Sequence, residues 1–120
     1  MTRDDYNTFC ASLPATDHVV QWGNSDVWKV GGKLFTVCGW SDDESAAFTF
    51  KVTPLVFEVM GSEPGIRPAP YLASRGMKWL QVTGNETLSD DGIRDHIKMS
   101  YDMIVAALPK KKKAELGLTS

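Results

Sequence analysis

The order of patterns along this chain predicts an α+β protein, an antiparallel β-sheet meander with helices packed on one face. Three observations carry the prediction. The β-rich runs Asp26–Val30 and Lys33–Trp40 are separated only by Gly31-Gly32, and two glycines can both take the positive φ that a two-residue hairpin turn requires. A third run, Ala46–Val52, ends at Thr53-Pro54, a pair suited to a helix cap and a first helical residue. A long stretch opening at Ser89 then repeats apolar residues at helical spacing. The order helix, three or four strands, helix, strand, helix is that of a two-layer sandwich.

Each element has a local reason. Thr2 caps a first helix, with Asp5 three residues on completing an approximate capping box. Tyr6, Phe9, Cys10 and Leu13 form its buried stripe, and Pro14 ends it. His18–Trp22 reads as a first strand, stopped by Gly23-Asn24-Ser25. In the third run Ala46, Phe48, Phe50 and Val52 share one face while Ala47, Thr49 and Lys51 share the other. Leu55–Met60 is a short helix that Gly61 stops, and the proline-rich link Ser62–Pro70 is read as irregular. Tyr71–Arg75 is read as one helical turn ended by Gly76. Met77–Val82 returns to strand, with Met77, Trp79 and Gln81 opposing Lys78, Leu80 and Val82. One sheet face is expected to pack on helices and the other to be partly wet. In the last helix Ser89 is the cap, and Ile93, Ile97, Tyr101, Ile104 and Leu108 form the apolar stripe. Pro109 ends or kinks it.

With 120 residues the chain is read as one domain, 1–120, large enough to bury a core without staples. A hydrophobic fraction of 42% and four tryptophans exclude a disordered chain. No run of about 18 apolar residues is present, so no membrane partner is expected. The start, Met1–Tyr6, lacks the layout of a signal peptide, and Cys10 and Cys38 are expected to be reduced core thiols in a cytoplasmic protein. The net charge of −2 and pI of about 5.6 weigh against strong non-specific nucleic-acid binding. Charge is locally uneven, with Lys110–Lys113 at one point and acids at Asp4-Asp5, Asp42-Asp-Glu44 and Asp90-Asp91.

No catalytic constellation is visible. His18 and His96 are the only histidines and show no metal-ligand spacing; His96, beside the last helix's apolar stripe, is read as half-buried and structural. The cysteines are not CxxC, and no phosphate-cradling glycine loop precedes a helix. The acids of Asp42-Asp-Glu44 lack EF-hand spacing and read as a solvated turn. No enzyme activity, cofactor or metal is therefore expected. Basic residues are the remaining signal. Lys29, Lys33, Lys51 and Lys78 lie on or beside strands, with Arg67 and Arg75 in the loop before the last strand. Lys51 and Lys78, read on the less apolar faces, would share a surface with Trp79, contacting phosphates and stacking on bases. The plainer reading is that these lysines decorate an exposed face and blunt its edges. Lys110–Lys113 likewise either meet phosphate or complement a helix carboxy terminus.

The chain nonetheless resembles a known family. Gly32-Lys33-Leu-Phe35, then Phe50-Lys51-Val-Thr-Pro54, then Ile66–Trp79 with Pro68, Ala69, Tyr71, Leu72 and Trp79, and finally Ser100-Tyr101, are similar in order and spacing to the MmcQ/YjbR-like proteins. The resemblance runs from Tyr6 to Leu116 and implies a CyaY-like α+β fold. It also implies DNA binding through a proposed double-wing surface, with Lys33, Lys51 and Trp79 at matching positions and Arg67, Arg75 and Lys78 as basic neighbours. The fold likeness does not bring iron binding with it. A second reading is a small-molecule- or protein-binding module with an aromatic-lined surface, prompted by Trp22, Trp28, Trp40 and Trp79. Tryptophans beside an apolar cleft would favour that reading.

Overall fold

Local chemistry sets the first helix. In the computed structural model, which describes residues 1–39, 47–70, 72 and 76–118, helix α1 spans Arg3–Ala11. Its capping box is complete: the Asp5 amide donates to Thr2 Oγ1 at 3.0 Å, and the Thr2 amide donates to the Asp5 carboxylate at 3.3 Å. Tyr6 and Cys10 turn inward from this helix, and Leu13 follows them into the core.

Six strands form one antiparallel sheet in the order β1-β2-β3-β4-β6-β5. Strand β1 is Thr16–Gln21, β2 Ser25–Val30, β3 Lys33–Cys38 and β4 Phe48–Lys51. Strand β5 is Ile66–Pro68 and β6 Trp79–Val82. β1 begins two residues earlier than expected, and Trp22 leaves it. Trp22, Gly23 and Asn24 all have positive φ (52°, 72° and 68°), so Trp22 belongs to the turn. The glycine hairpin forms as expected, with Gly31 at φ 60° and Gly32 at φ 78°. The link 62–70 is not wholly irregular, because Ile66–Pro68 pairs with β6. Proline is tolerated there because β5 is an edge strand and donates nothing outward. The other edge, β1, is six residues long and leaves Val19 and Val20 exposed. The acidic turn Asp42–Glu44 and the helical turn at 71–75, apart from Leu72, lie outside the described residues.

Helix α2 is Pro54–Met60, with Thr53 Oγ1 accepting from the Val56 amide at 3.3 Å. Helix α3 is Asp90–Ala107, capped by Ser89, whose hydroxyl accepts from the Gly92 amide. Pro109 does not simply end α3. Its φ of −58° suits a helix entry, and Lys110–Glu115 form a further helix, α4. Lys113 Nζ turns back to the Ala106 carbonyl at 3.1 Å, capping the α3 carboxy terminus as the plainer reading of the lysine run expected.

α1 and α3 pack on one sheet face. Tyr6, Cys10, Ile93, Ile97 and Tyr101 meet Trp28, Phe48, Phe50, Leu80 and Val82 in a single cluster, against which Val56, Phe57 and Met60 of α2 also pack. The second face is partly wet, as expected: Asp17, Val19 and Arg67 are exposed and Lys51 is half-buried, while its centre is closed. Val27, Val37, Thr49, Trp79 and Gln81 on that side are all buried. Its polar groups are satisfied internally: the Gln81 amide nitrogen donates to Thr49 Oγ1 at 3.3 Å, and Arg67 Nε donates to Gln81 Oε1 at 2.8 Å.

One irregularity positions everything that follows. Trp28 pairs with Thr36 and Lys29 with Leu34, so Phe35 has no partner on β2 and forms a bulge. Its ring meets Tyr101 of α3 edge-on at 5.4 Å. Across on β4, the Lys51 amide donates to Ser100 Oγ at 2.9 Å, and that hydroxyl donates to the Phe35 carbonyl at 2.6 Å. A side chain from α3 thus stands in the ladder between β3 and β4. The strands pair directly only over Thr36–Cys38 and Phe48–Phe50, and beyond that they part.

Candidate nucleic-acid interface

Antiparallel pairing gathers distant basic residues at one end of the sheet. Lys33 opens β3, Lys51 closes β4, and Lys78 immediately precedes β6. α3 runs so that its last residues reach this same end: a Cβ on Gly31 would lie 2.8 Å from Leu108 Cδ1. Lys110–Lys113 of α4 follow at once. Acids collect at the other end. Asp90 accepts from the amino terminus at 2.7 Å, and that ammonium holds its carboxyl below the usual range. Asp5, in the capping box, is lowered by its hydrogen bonds to Thr2. Acids on the basic side include Asp17, the cross-strand partner of Lys29, Asp102 of α3, which lines hollows with Lys51 and with Lys110, and Glu115 of α4.

Lys33 and Lys51 line a common cavity of about 300 Å³ where β3 and β4 part. Leu34, Met77 and Trp79 contribute to its sheet side; Ile104, Ala107, Leu108 and Pro109 close it from α3. Lys33 is exposed and Lys51 half-buried. Neither ammonium meets an acid among the described residues.

The other expected site residues separate from these two. Lys78 and Lys51 do not share a face: Lys51 pairs with Trp79, and Lys78, one residue earlier, turns to the helix side. Its ammonium sits 4.7 Å from the centroid of the Phe57 ring of α2. Trp79 is 3% exposed, so it is a cavity wall and offers no platform for a base. Arg67 is exposed at its edge, but its guanidinium is occupied by Gln81. By strand spacing it lies roughly 12 Å from Lys51. Arg75 lies outside the described residues, as does Trp40. The wall of Leu108 and Pro109 was missed as a site element; proline as a helix-entry residue was the available signal. The lysines of α4 were weighed for phosphate contact but not placed in the site.

The remaining reactive groups are structural. His96 is half-buried and stacks on Phe50 at 5.3 Å, and burial pushes its pKa down. His18 Nε2 lies 2.7 Å from the Asp26 carboxylate and beside Trp28. Cys10 and Cys38 are free and buried, and burial raises both thiols, Cys38 to about 11. Among the described residues no three histidines, cysteines or acids gather as a metal site, and no helix is long and apolar enough to cross a membrane.

A six-stranded antiparallel sheet with helices on its inner face, here with a cluster of lysines at one end, defines a mixed α+β fold. The YjbR family model matches residues 11–103, and the chain belongs to that family. Among solved structures it is similar to protein DR2400 of Deinococcus radiodurans, a DUF419 domain. There it has 22% sequence identity and a TM-score of 0.84, covering 98% of this chain and 89% of that one. The comparison with curated proteins finds no match.

Proposed function

We propose that this YjbR-family protein is a non-enzymatic, cytoplasmic DNA-binding protein that contacts phosphates through its basic end. Lys33, Lys51 and the outward lysines of α4 supply the contacts. The observation that carries the reading is convergence: lysines from three separate elements, β3, β4 and α4, meet at one end, while acids of the α1 and α3 amino termini lie at the other. A segregated charge pattern lets a chain of net negative charge approach a polyanion in one orientation. Among the described residues no exposed aromatic stands in the cluster, which favours phosphate over base stacking as the recognised group. Affinity is accordingly modest and strongly salt-dependent.

Fluorescence anisotropy of a labelled duplex tests this directly. Binding at low salt that weakens as salt rises supports the reading, and Lys33→Glu/Lys51→Glu should then remove it. A flat titration with the parent protein, even at roughly 20 mM salt where phosphate contacts are strongest, would sink it.

A further inference from the structure

We propose that the cavity at the parting of β3 and β4 is a binding site for a small apolar carboxylate, a compound with a hydrocarbon body of about eight carbons and one anionic head. Nothing in this inference depends on the reading of the protein as a DNA binder.

The walls define the body of the ligand. Trp79, almost wholly buried, forms the sheet side, and Ile104 and Leu108 of α3 form the opposite side. At about 300 Å³ the space is at the small end of ligand sites, which run from roughly 300 to 1,000 Å³ and are mostly apolar with a few placed polar groups. Side chains from β3, β4, β6 and α3 hold it open. Ser100 keeps the two strands apart by bridging the Phe35 carbonyl and the Lys51 amide, so the space follows from the fold itself.

The lysines define the head. Among the described residues, Lys33 and Lys51 are the only charged ones lining the cavity, and both are cationic. Long lysine stems lie along apolar surface while their ammonium groups seek water, which puts two positive charges at the mouth above an apolar floor. A carboxylate there gains charge-assisted hydrogen bonds from groups that have no acidic partner among the described residues. A neighbouring hollow of about 270 Å³ makes the contrast. It is also lined by Lys51, together with Val56, His96 and Met99, but Asp102 stands in its wall and would repel an anion.

Methyl and indole NMR on the parent protein, titrated with octanoate and separately with octanol, tests the site. Octanoate should shift the Leu34, Ile104 and Leu108 methyls and the Trp79 indole saturably. Octanol, which fits the same walls but lacks the charge, should bind about tenfold more weakly or worse. Lys33→Ala/Lys51→Ala should erase that preference while leaving octanol binding in place. Ala107→Phe, at an exposed position of α3, should fill the cavity and remove both ligands. Equal affinity for octanoate and octanol overturns the proposal. So do octanoate shifts confined to other residues, or an Ala107→Phe protein that binds octanoate unchanged. No nucleic acid enters these titrations, so the site and the DNA reading stand or fall separately.

Discussion

Replacing Lys33 and Lys51 together with alanine should change the salt dependence of duplex binding by a calculable amount. The basic end offers Lys33, Lys51 and the three exposed lysines Lys110, Lys111 and Lys112 of α4, since Lys113 is held by the Ala106 carbonyl and Lys78 lies over the Phe57 ring. For about five phosphate contacts the slope of log affinity against log salt is about −4.5, a loss of about 500-fold between roughly 50 and 200 mM. With two contacts removed, the slope falls to about −2.7 and the loss over the same range to about 40-fold. Anisotropy at four or more salt concentrations measures both slopes. Neither lysine side chain makes an ion pair among the described residues, so the variant should unfold at the same denaturant concentration as the parent. A variant with the parental slope would mean that the duplex sits elsewhere on the molecule, whatever its absolute affinity.

Ser100→Ala leaves the Phe35 carbonyl and the Lys51 amide without their bridging hydroxyl, and should lower unfolding stability by about 2–4 kcal/mol in urea titrations. Gly31→Ala forces both a positive φ and a 2.8 Å approach to Leu108, whereas Gly32→Ala meets nothing within 4 Å. The first should therefore cost clearly more stability than the second, whose penalty of about 1–2 kcal/mol is conformational alone. His96 contributes to pH dependence with a definite sign. Its pKa is lowered by burial from the ordinary 6.5, so the unfolded chain binds more protons below that value and stability falls as pH drops from about 6.5. His96→Phe, which keeps the stack on Phe50, should flatten that part of the urea-midpoint profile between pH 7.5 and 5. With the Cys38 thiol raised to about 11, both buried cysteines should react with a disulfide reagent at pH 8 only after denaturant is added; fast reaction of the native protein would show that the thiols are not enclosed.

What the sequence disclosed follows from the range of the forces involved. The Gly31-Gly32 hairpin, the Thr2–Asp5 capping box and the Ile93–Leu108 stripe depend on neighbours within a few residues, and each formed where its chemistry requires. Lys33 and Lys51 were legible as surface cations, and an antiparallel ladder was enough to bring them together. Facing was harder. Lys78 was placed beside Lys51 from the polarity of its strand, yet strict alternation puts it with Leu80 against α2. Trp79 was read as a stacking platform because burial at the centre of the second sheet face is set by distant parts of the chain, which no local pattern reports. Strand β5 was hidden by Pro68, which is tolerated only because the strand is an edge. The bulge at Phe35 was invisible for a similar reason. It exists to fit a serine 65 residues away in sequence, and with it went the cavity.

The two margins of the sheet differ in a way that governs misassembly. β5 presents three residues and ends in a proline, so a foreign strand finds almost nothing to zip onto. β1 presents six residues flanked by exposed valines and the exposed Trp22, an open template for another strand. Unwanted growth therefore has one starting line instead of two. Two molecules that met along β1 would bury each other's template and leave only the proline-blunted margins outward. Such a pair is a dead end for fibre growth, and the asymmetry works as a chain terminator written into the edge.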